Sequence, residues 1–207
     1  MNLTLYVDSM FASPWAMSVF VALKEKQLDF ALKTVDLEAG HARLPAFRDL
    51  TMTSRVPALV HGDFILTEST AITEYLDEVF PANEYTVLYP KNSHDRARAR
   101  QLQAWIRSDM MPLRVERPTE TVFFQQAYGP LTEAALPSKD KLLAAAERLI
   151  QGQYLFDKWS IADLDLAMML NRLVLTGVEV PKKVADYAAA QWQRESVQQW
   201  LAFHQPS

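Results

Sequence analysis

R-V-P-A-L-V-H-G-D-F-I-L-T-E-S-T-A-I-T-E-Y-L, residues 55–76, reads as strand, tight turn, strand and then helix. Pro57 opens the first apolar run. Proline has no N–H to give a ladder, so it belongs at a strand start or a sheet edge. His61-Gly62-Asp63 is a hairpin signal between short runs at 57–61 and 64–67. Glu68 and Ser69 stand where the next helix begins. A helix start offers free N–H groups and a partial positive charge, which together seat a carboxylate.

Working outward, Leu3, Leu5 and Val7 alternate with Thr4 and Tyr6, the period of a strand. Ser13-Pro14 opens a helix that runs to about Lys26, with serine as cap and proline at the first helical position. Phe30, Leu32 and Thr34-Val35 give a second strand, and 42–50 a short, weaker helix. A helix from Ser69 to Phe80 closes this half. The order is βαβ followed by ββα. The first unit requires a parallel pair with a right-handed crossover, and the second an antiparallel pair.

After Phe80 the character changes. Pro81-Ala82-Asn83 and Pro90 break the pattern. From Ser93 onward no strand is evident. Residues 93–117 read as one long helix, with others at 138–152, 160–175, 182–191 and 194–204; 118–137 is the least regular segment. The expected organisation is an α/β domain at 1–81, a linker at 82–90 and an all-helical domain at 91–207.

The chain has 207 residues, 49% hydrophobic and 22% charged, enough for two small cores. A net charge of −4 argues against nucleic acid, whose phosphates need a basic surface. With no cysteine, a disulfide framework, a thiolate metal site and a cysteine nucleophile are excluded. The histidines at 41, 61, 94 and 204 lack metal-ligand spacing. The N-terminus lacks a signal-peptide pattern, and no apolar run approaches the ~20 residues that span a bilayer. The expectation is a cytoplasmic protein without metal or membrane partner.

With R-V-P-A-L-V, T-E-S-T-A-I-T-E-Y-L, Ser160-Ile161-Ala162-Asp163 and F-A-S-P-W-A-M in place, the chain resembles the cytosolic glutathione S-transferases over nearly its whole length. Its R-A-R-A-R-Q-L-Q-A-W-I-R-S-D-M-M-P-L-R-V-E-R-P-T-E and D-L-A-M-M-L-N-R-L-V-L are most similar to the bacterial YfcF-type members. The resemblance implies a thioredoxin-like N-terminal domain (βαβαββα), a helical-bundle C-terminal domain and a homodimer. It implies glutathione as cosubstrate, activated for attack on small electrophiles held against the helical domain, and possible reduction of organic hydroperoxides. Departures are Leu50-Thr51-Met52-Thr53-Ser54-Arg55 where many members carry Asn-Pro-x-Gly-Lys, Ser18 where tau-like sequences often carry arginine, and Asp157 where glycine is common.

An exposed main-chain edge beside an anion-holding helix start suits a γ-linked peptide. Ser13 is the candidate catalytic hydroxyl. A free thiol has a pKa of about 8.5, and the thiolate is the nucleophile. A hydrogen bond to a charged partner is worth roughly 1.5–3 kcal/mol, and one pKa unit is about 1.4 kcal/mol. One hydroxyl donor therefore lowers the thiol by about one to two units. The plainer role for Ser13 is a helix cap. Tyr6 competes as a hydroxyl, but its place in an alternating strand favours packing.

A cis bond before Pro57 is expected from the resemblance. It would turn the Val56 amide and carbonyl outward to pair with the cysteinyl part of glutathione, in the manner of an added strand. Ser69 and the helix N–H groups would hold the α-carboxylate, and Glu68 the α-ammonium. Arg55 and His41 are weaker candidates for the glycyl carboxylate, with a solvated role equally open. Ser160 and Asp163 read as a structural capping box. Arg100, Arg107 and Arg114 recur every seven residues and read as a solvated stripe or dimer rim. The alternative to an enzyme is a binding module that keeps the fold.

Overall fold

The computed structural model describes residues 2–124 and 126–204. Contacts divide the chain between Leu88 and Tyr89 into two compact units.

The first unit runs β1 (Leu3–Asp8), α1 (Pro14–Glu25), β2 (Ala31–Val35), a 3-10 turn (His41–Arg43), α2 (Pro45–Arg48), β3 (Ala58–His61), β4 (Phe64–Thr67) and α3 (Ser69–Val79). The sheet order is β2-β1-β3-β4. β1 and β2 are parallel, while β3 is antiparallel to both β1 and β4. This is the expected thioredoxin-like βαβαββα order.

The alternation in β1 sorts its two faces. Leu3, Leu5 and Val7 are all but fully buried, and burial of each such side chain stabilises by about 1.5–3 kcal/mol. α1 and α3 pack on one another and against the sheet. Tyr6 points to the other pleat and packs against Val35, Phe47 and Ala58; its ring lies 5.6 Å from that of Phe47. A two-residue turn, Gly62-Asp63, joins His61 to its partner Phe64. Gly62 there has φ +59, in the left-handed region that glycine enters without a Cβ clash.

Lys26, one residue beyond α1, is wholly buried. Its ammonium donates to the carbonyls of Phe80 and Thr86, each at 2.8 Å, and lies 3.3 Å from the Asp77 carboxylate. Asp77 also accepts the Leu88 N–H at 2.8 Å. The end of α3 and the chain that follows it are thus tied to α1 through one buried charge. Burial pushes this ammonium below its ordinary pKa, and Asp77 opposes the shift. In the sequence Lys26 passed as an ordinary helix terminus.

The second unit is helical: α4 (Ser93–Ser108), α5 (Met111–Glu116), α6 (Glu120–Phe123), α7 (Leu136–Leu149), α8 (Ile161–Val174), α9 (Lys182–Trp192), α10 (Glu195–Leu201) and a 3-10 turn (Ala202–His204). α8 is buried on every face from Ile161 to Leu173, and that burial takes in the polar Asp163, Asp165, Asn171 and Arg172 among its apolar residues. It packs against α4, α6, α7 and α9.

The single helix expected at 93–117 is corrected to two. Asp109 is extended and Met110 left-handed at φ 67. Pro112 sits in the first turn of the next helix, because its ring has no place inside the preceding one. The Asp109 carboxylate organises the break. It accepts from the Met110 N–H at 2.7 Å, the Trp105 indole N–H at 2.9 Å and the Lys141 ammonium. These donors, Lys141 foremost, hold its pKa down to about 2.

The arginine stripe is corrected too. Arg100 is exposed, but Arg107 donates to Asp165 at 2.9 Å and to the Gln103 carbonyl at 3.1 Å. Asp165 lies in the core at 1% exposure, so Arg107 is anchored to α8 rather than solvated.

Candidate active site

Strand register decides which loops meet. β1 ends at Asp8, opposite Val35 at the end of parallel β2. Tyr6 lies opposite Ala58, the first residue of β3, and Ala58 lies opposite Thr67, the last of β4. The segments 9–13, 36–41, 54–57 and 68–69 therefore all leave the same end of the sheet. Ser13, Val56, Pro57, Glu68 and Ser69 are brought to that end, with Arg55 and His41 on the flanking loops. Two helices of more than ten residues, α1 and α3, begin there, so two positive dipole ends share the site.

Ser13 caps α1 from an extended conformation, φ −76 and ψ 113, and its Oγ accepts the Ala16 N–H at 3.2 Å. Among the described residues this hydroxyl donates to no acceptor. The cap uses an oxygen lone pair, so the proton stays available to a thiolate. Capping and donation are compatible in one residue. Tyr6 packs, as its alternation indicated; the Lys33 ammonium sits over its ring at 5.6 Å.

Asp8 was missed in the sequence. Its buried carboxylate accepts the Ala12 N–H at 2.7 Å and the Ser13 N–H at 3.0 Å. An acid at a strand end, a short loop before a Ser-Pro helix start, was the available signal.

The Val56–Pro57 bond is cis, as expected. Pro57 is buried, and Val56 is half-buried against the Tyr6 and Phe47 cluster. The β3 ladder starts at Ala58, so Val56 stands beyond its first rung. Glu68 is exposed and caps α3 with φ 69 and ψ 113. That conformation is costly for a residue with a Cβ and tends to occur at functional sites. Its carbonyl accepts the Ile72 N–H at 2.9 Å, opening the helix. Ser69 is buried as the first residue of α3. Arg55 and His41 are exposed, and His41 begins the 3-10 turn with its N–H on the Asp36 carbonyl at 2.8 Å.

Ser160 and Asp163 lie in the second unit, at the start of α8. Asp163 Oδ2 accepts both the N–H and the hydroxyl of Ser160, each at 2.8 Å. Its Oδ1 accepts the Leu155 N–H at 2.7 Å and the Tyr187 hydroxyl at 2.9 Å. One carboxylate thus joins the 150–160 loop, α8 and α9. Burial raises the Asp163 pKa against the pull of these donors. Burial first, and the Asp163 charge second, lift Tyr187 well above the usual phenol value. Leu155 and Tyr187 were not legible as partners in the sequence.

Residues 12–79 match the description "Glutathione S-transferase, N-terminal domain", and residues 92–205 match "Glutathione S-transferase, C-terminal domain". The chain belongs to the glutathione S-transferase family. Within that family it is similar to a Burkholderia glutathione transferase homolog, solved with bound glutathione. The two share 48% identity with a TM-score of 0.82, over 98% of this chain and 97% of that one. It is 30% identical to human glutathione S-transferase theta-1 over 87% of this chain and 77% of that protein. It is 38% identical to glutathione S-transferase 1 of Dianthus caryophyllus over 54% of this chain and 48% of that protein. Among the described residues, no helix is long and apolar enough to cross a membrane, and no group of three or more acidic, histidine or cysteine side chains could hold a metal ion.

Proposed function

We propose that this chain is a glutathione transferase that binds glutathione at the loop end of its sheet and lowers the thiol pKa with the Ser13 hydroxyl. The observation that carries the reading is the meeting of two helix N-termini with a serine whose hydroxyl proton has no acceptor among the described residues. The bound glutathione in the 48% identical relative supports the same cosubstrate here. Residues 1–81 form the glutathione-binding domain and 91–207 the helical one.

Each residue has a defined task. The Val56 main chain, beyond the first rung of β3, pairs with the cysteinyl unit. Ser69 and the first N–H groups of α3 hold the α-carboxylate, while Glu68 draws the α-ammonium. Arg55 and His41 flank the glycyl carboxylate. Pro57 shapes the edge, and Ser160 with Asp163 holds the helical domain together.

The thiolate then attacks an electrophilic carbon; a C–S bond forms as the leaving group departs with its electron pair. With an organic hydroperoxide the thiolate attacks oxygen, releasing the alcohol. A second glutathione reduces the resulting sulfenic acid to the disulfide and water. No protein thiol exists to carry a mixed disulfide. The motifs shared with YfcF-type members support placing the chain near them. A homodimer in the cytoplasm follows from the same resemblance.

Thiolate absorbance of bound glutathione, titrated against pH in wild type and Ser13→Ala, tests the reading. The mutant should keep affinity within a few-fold and raise the bound thiol by about one to two units. Identical titrations would remove Ser13 as activator. No binding at millimolar glutathione would favour a module that keeps the fold without the chemistry.

A further inference from the structure

We propose that Asp8 is a positioning residue for thiol activation: its buried carboxylate fixes the main chain of Ser13 so that the hydroxyl caps α1 with its oxygen and offers its proton outward. The inference rests on the Ser13 reading above and deepens it.

The loop after β1 must turn within a few residues from a strand end to a helix start. It leaves the sheet with the Ser9 N–H on the Val35 carbonyl at 3.0 Å. It then tightens with the Phe11 N–H on the Asp8 carbonyl at 3.1 Å. Phe11 has φ 54, an uncommon conformation for a side-chain-bearing residue, so the loop is held rather than relaxed. What holds it is the Asp8 carboxylate, 5% exposed, which spreads its two oxygens over successive amides. Oδ2 takes Ala12 at 2.7 Å and Oδ1 takes Ser13 at 3.0 Å. The path is continuous from the Asp8 carboxylate to the Ser13 amide, from Ser13 Oγ to the Ala16 amide, and so to the start of α1. With the Ser13 main chain held by Asp8 and the hydroxyl oxygen accepting from the Ala16 amide, the hydroxyl proton is directed away from that amide.

The location also sets up a conflict of signs. A carboxylate one short loop from the sulfur opposes a second negative charge there. If Asp8 acted on the thiol through its field alone, removing its charge would lower the thiol pKa. If it acts through Ser13, removing its grip raises the pKa.

Asp8→Asn keeps the size but presents an NH2 group to one of the two amides. Asp8→Glu keeps the charge and displaces it by one methylene. Both are compared with Ser13→Ala and with the double variant Asp8→Asn/Ser13→Ala, by titrating the thiolate absorbance of bound glutathione. The expected result is an upward shift of about one unit for Asp8→Asn and a shift in the same direction for Asp8→Glu, from weakening a bond to the thiolate. The double variant should titrate like Ser13→Ala alone, because both changes break one path. A lowered or unchanged pKa in Asp8→Asn, or additive shifts in the double variant, overturns the role of Asp8. A wild-type titration in Ser13→Ala overturns the Ser13 reading itself, and the positioning role with it. The two failures are told apart by the Ser13→Ala arm.

Discussion

Asp163→Ala should destabilise the helical unit by about 2–5 kcal/mol. Among the described residues four donors converge on this carboxylate, and two of them are backbone amides, Leu155 and Ser160. The Ser160 and Tyr187 hydroxyls can rotate to new acceptors, but a buried amide cannot. Each orphaned amide costs roughly 1–3 kcal/mol. Relief of a carboxylate held at 0% exposure offsets part of this, while the lost packing adds to it. With a urea dependence of about 2–3 kcal/mol per molar, the midpoint should fall by about 1–2 M with the slope unchanged. Tyr187→Phe should cost about 0.5–1.5 kcal/mol in the wild type and close to nothing in Asp163→Ala, since the two share one bond.

The same site makes a pH prediction. Burial holds the Asp163 carboxyl above its ordinary range, so the native state keeps this proton longer than the unfolded chain does. The stabilisation is fully present below the unfolded value near 3.9 and is lost as pH rises through the higher folded value. The Asp163→Ala penalty should therefore be larger near pH 4 than at pH 8. A midpoint shift below about 0.3 M, or a penalty that grows with pH, would refute this account of the carboxylate.

Lys26→Met should cost about 3–5 kcal/mol in urea unfolding, because it removes the cation beside the buried Asp77 carboxylate and the donor to the Phe80 and Thr86 carbonyls; an unchanged midpoint would mean the ammonium contributes nothing net. Glu68 sits at φ 69 and ψ 113. Glu68→Gly should thus raise stability by about 1 kcal/mol while weakening glutathione binding in calorimetry. Glu68→Ala should weaken binding without the gain in stability, and unchanged affinity in both would remove Glu68 from the ligand shell.

Much was legible in the sequence because local chemistry and global fold agree there. The alternation of Leu3, Leu5 and Val7, the Gly62 turn and the Ser13-Pro14 cap each specify a local geometry with a single solution. The same holds for the Ser160–Asp163 box, whose partners stand three residues apart. Pro112 signalled a break within 93–117, but helical periodicity continues on both sides of Asp109 and masked it. It is set by a left-handed Met110 and by Lys141, a residue distant in sequence.

What sequence alone determined is the elements of the first unit, most helices of the second and the residues that cap, turn or begin them, since each rests on neighbours within one turn. What tertiary structure decided is which distant groups share a charge or a donor. Lys26 with Phe80 and Thr86, Tyr187 with Asp163, and Arg107 with Asp165 are pairs made by packing. Even Asp8 and Ser13, five residues apart, become partners only because the sheet and α1 fix both ends of the loop between them. No periodicity encodes such meetings, because burial sets their energy and burial exists only once the chain has folded.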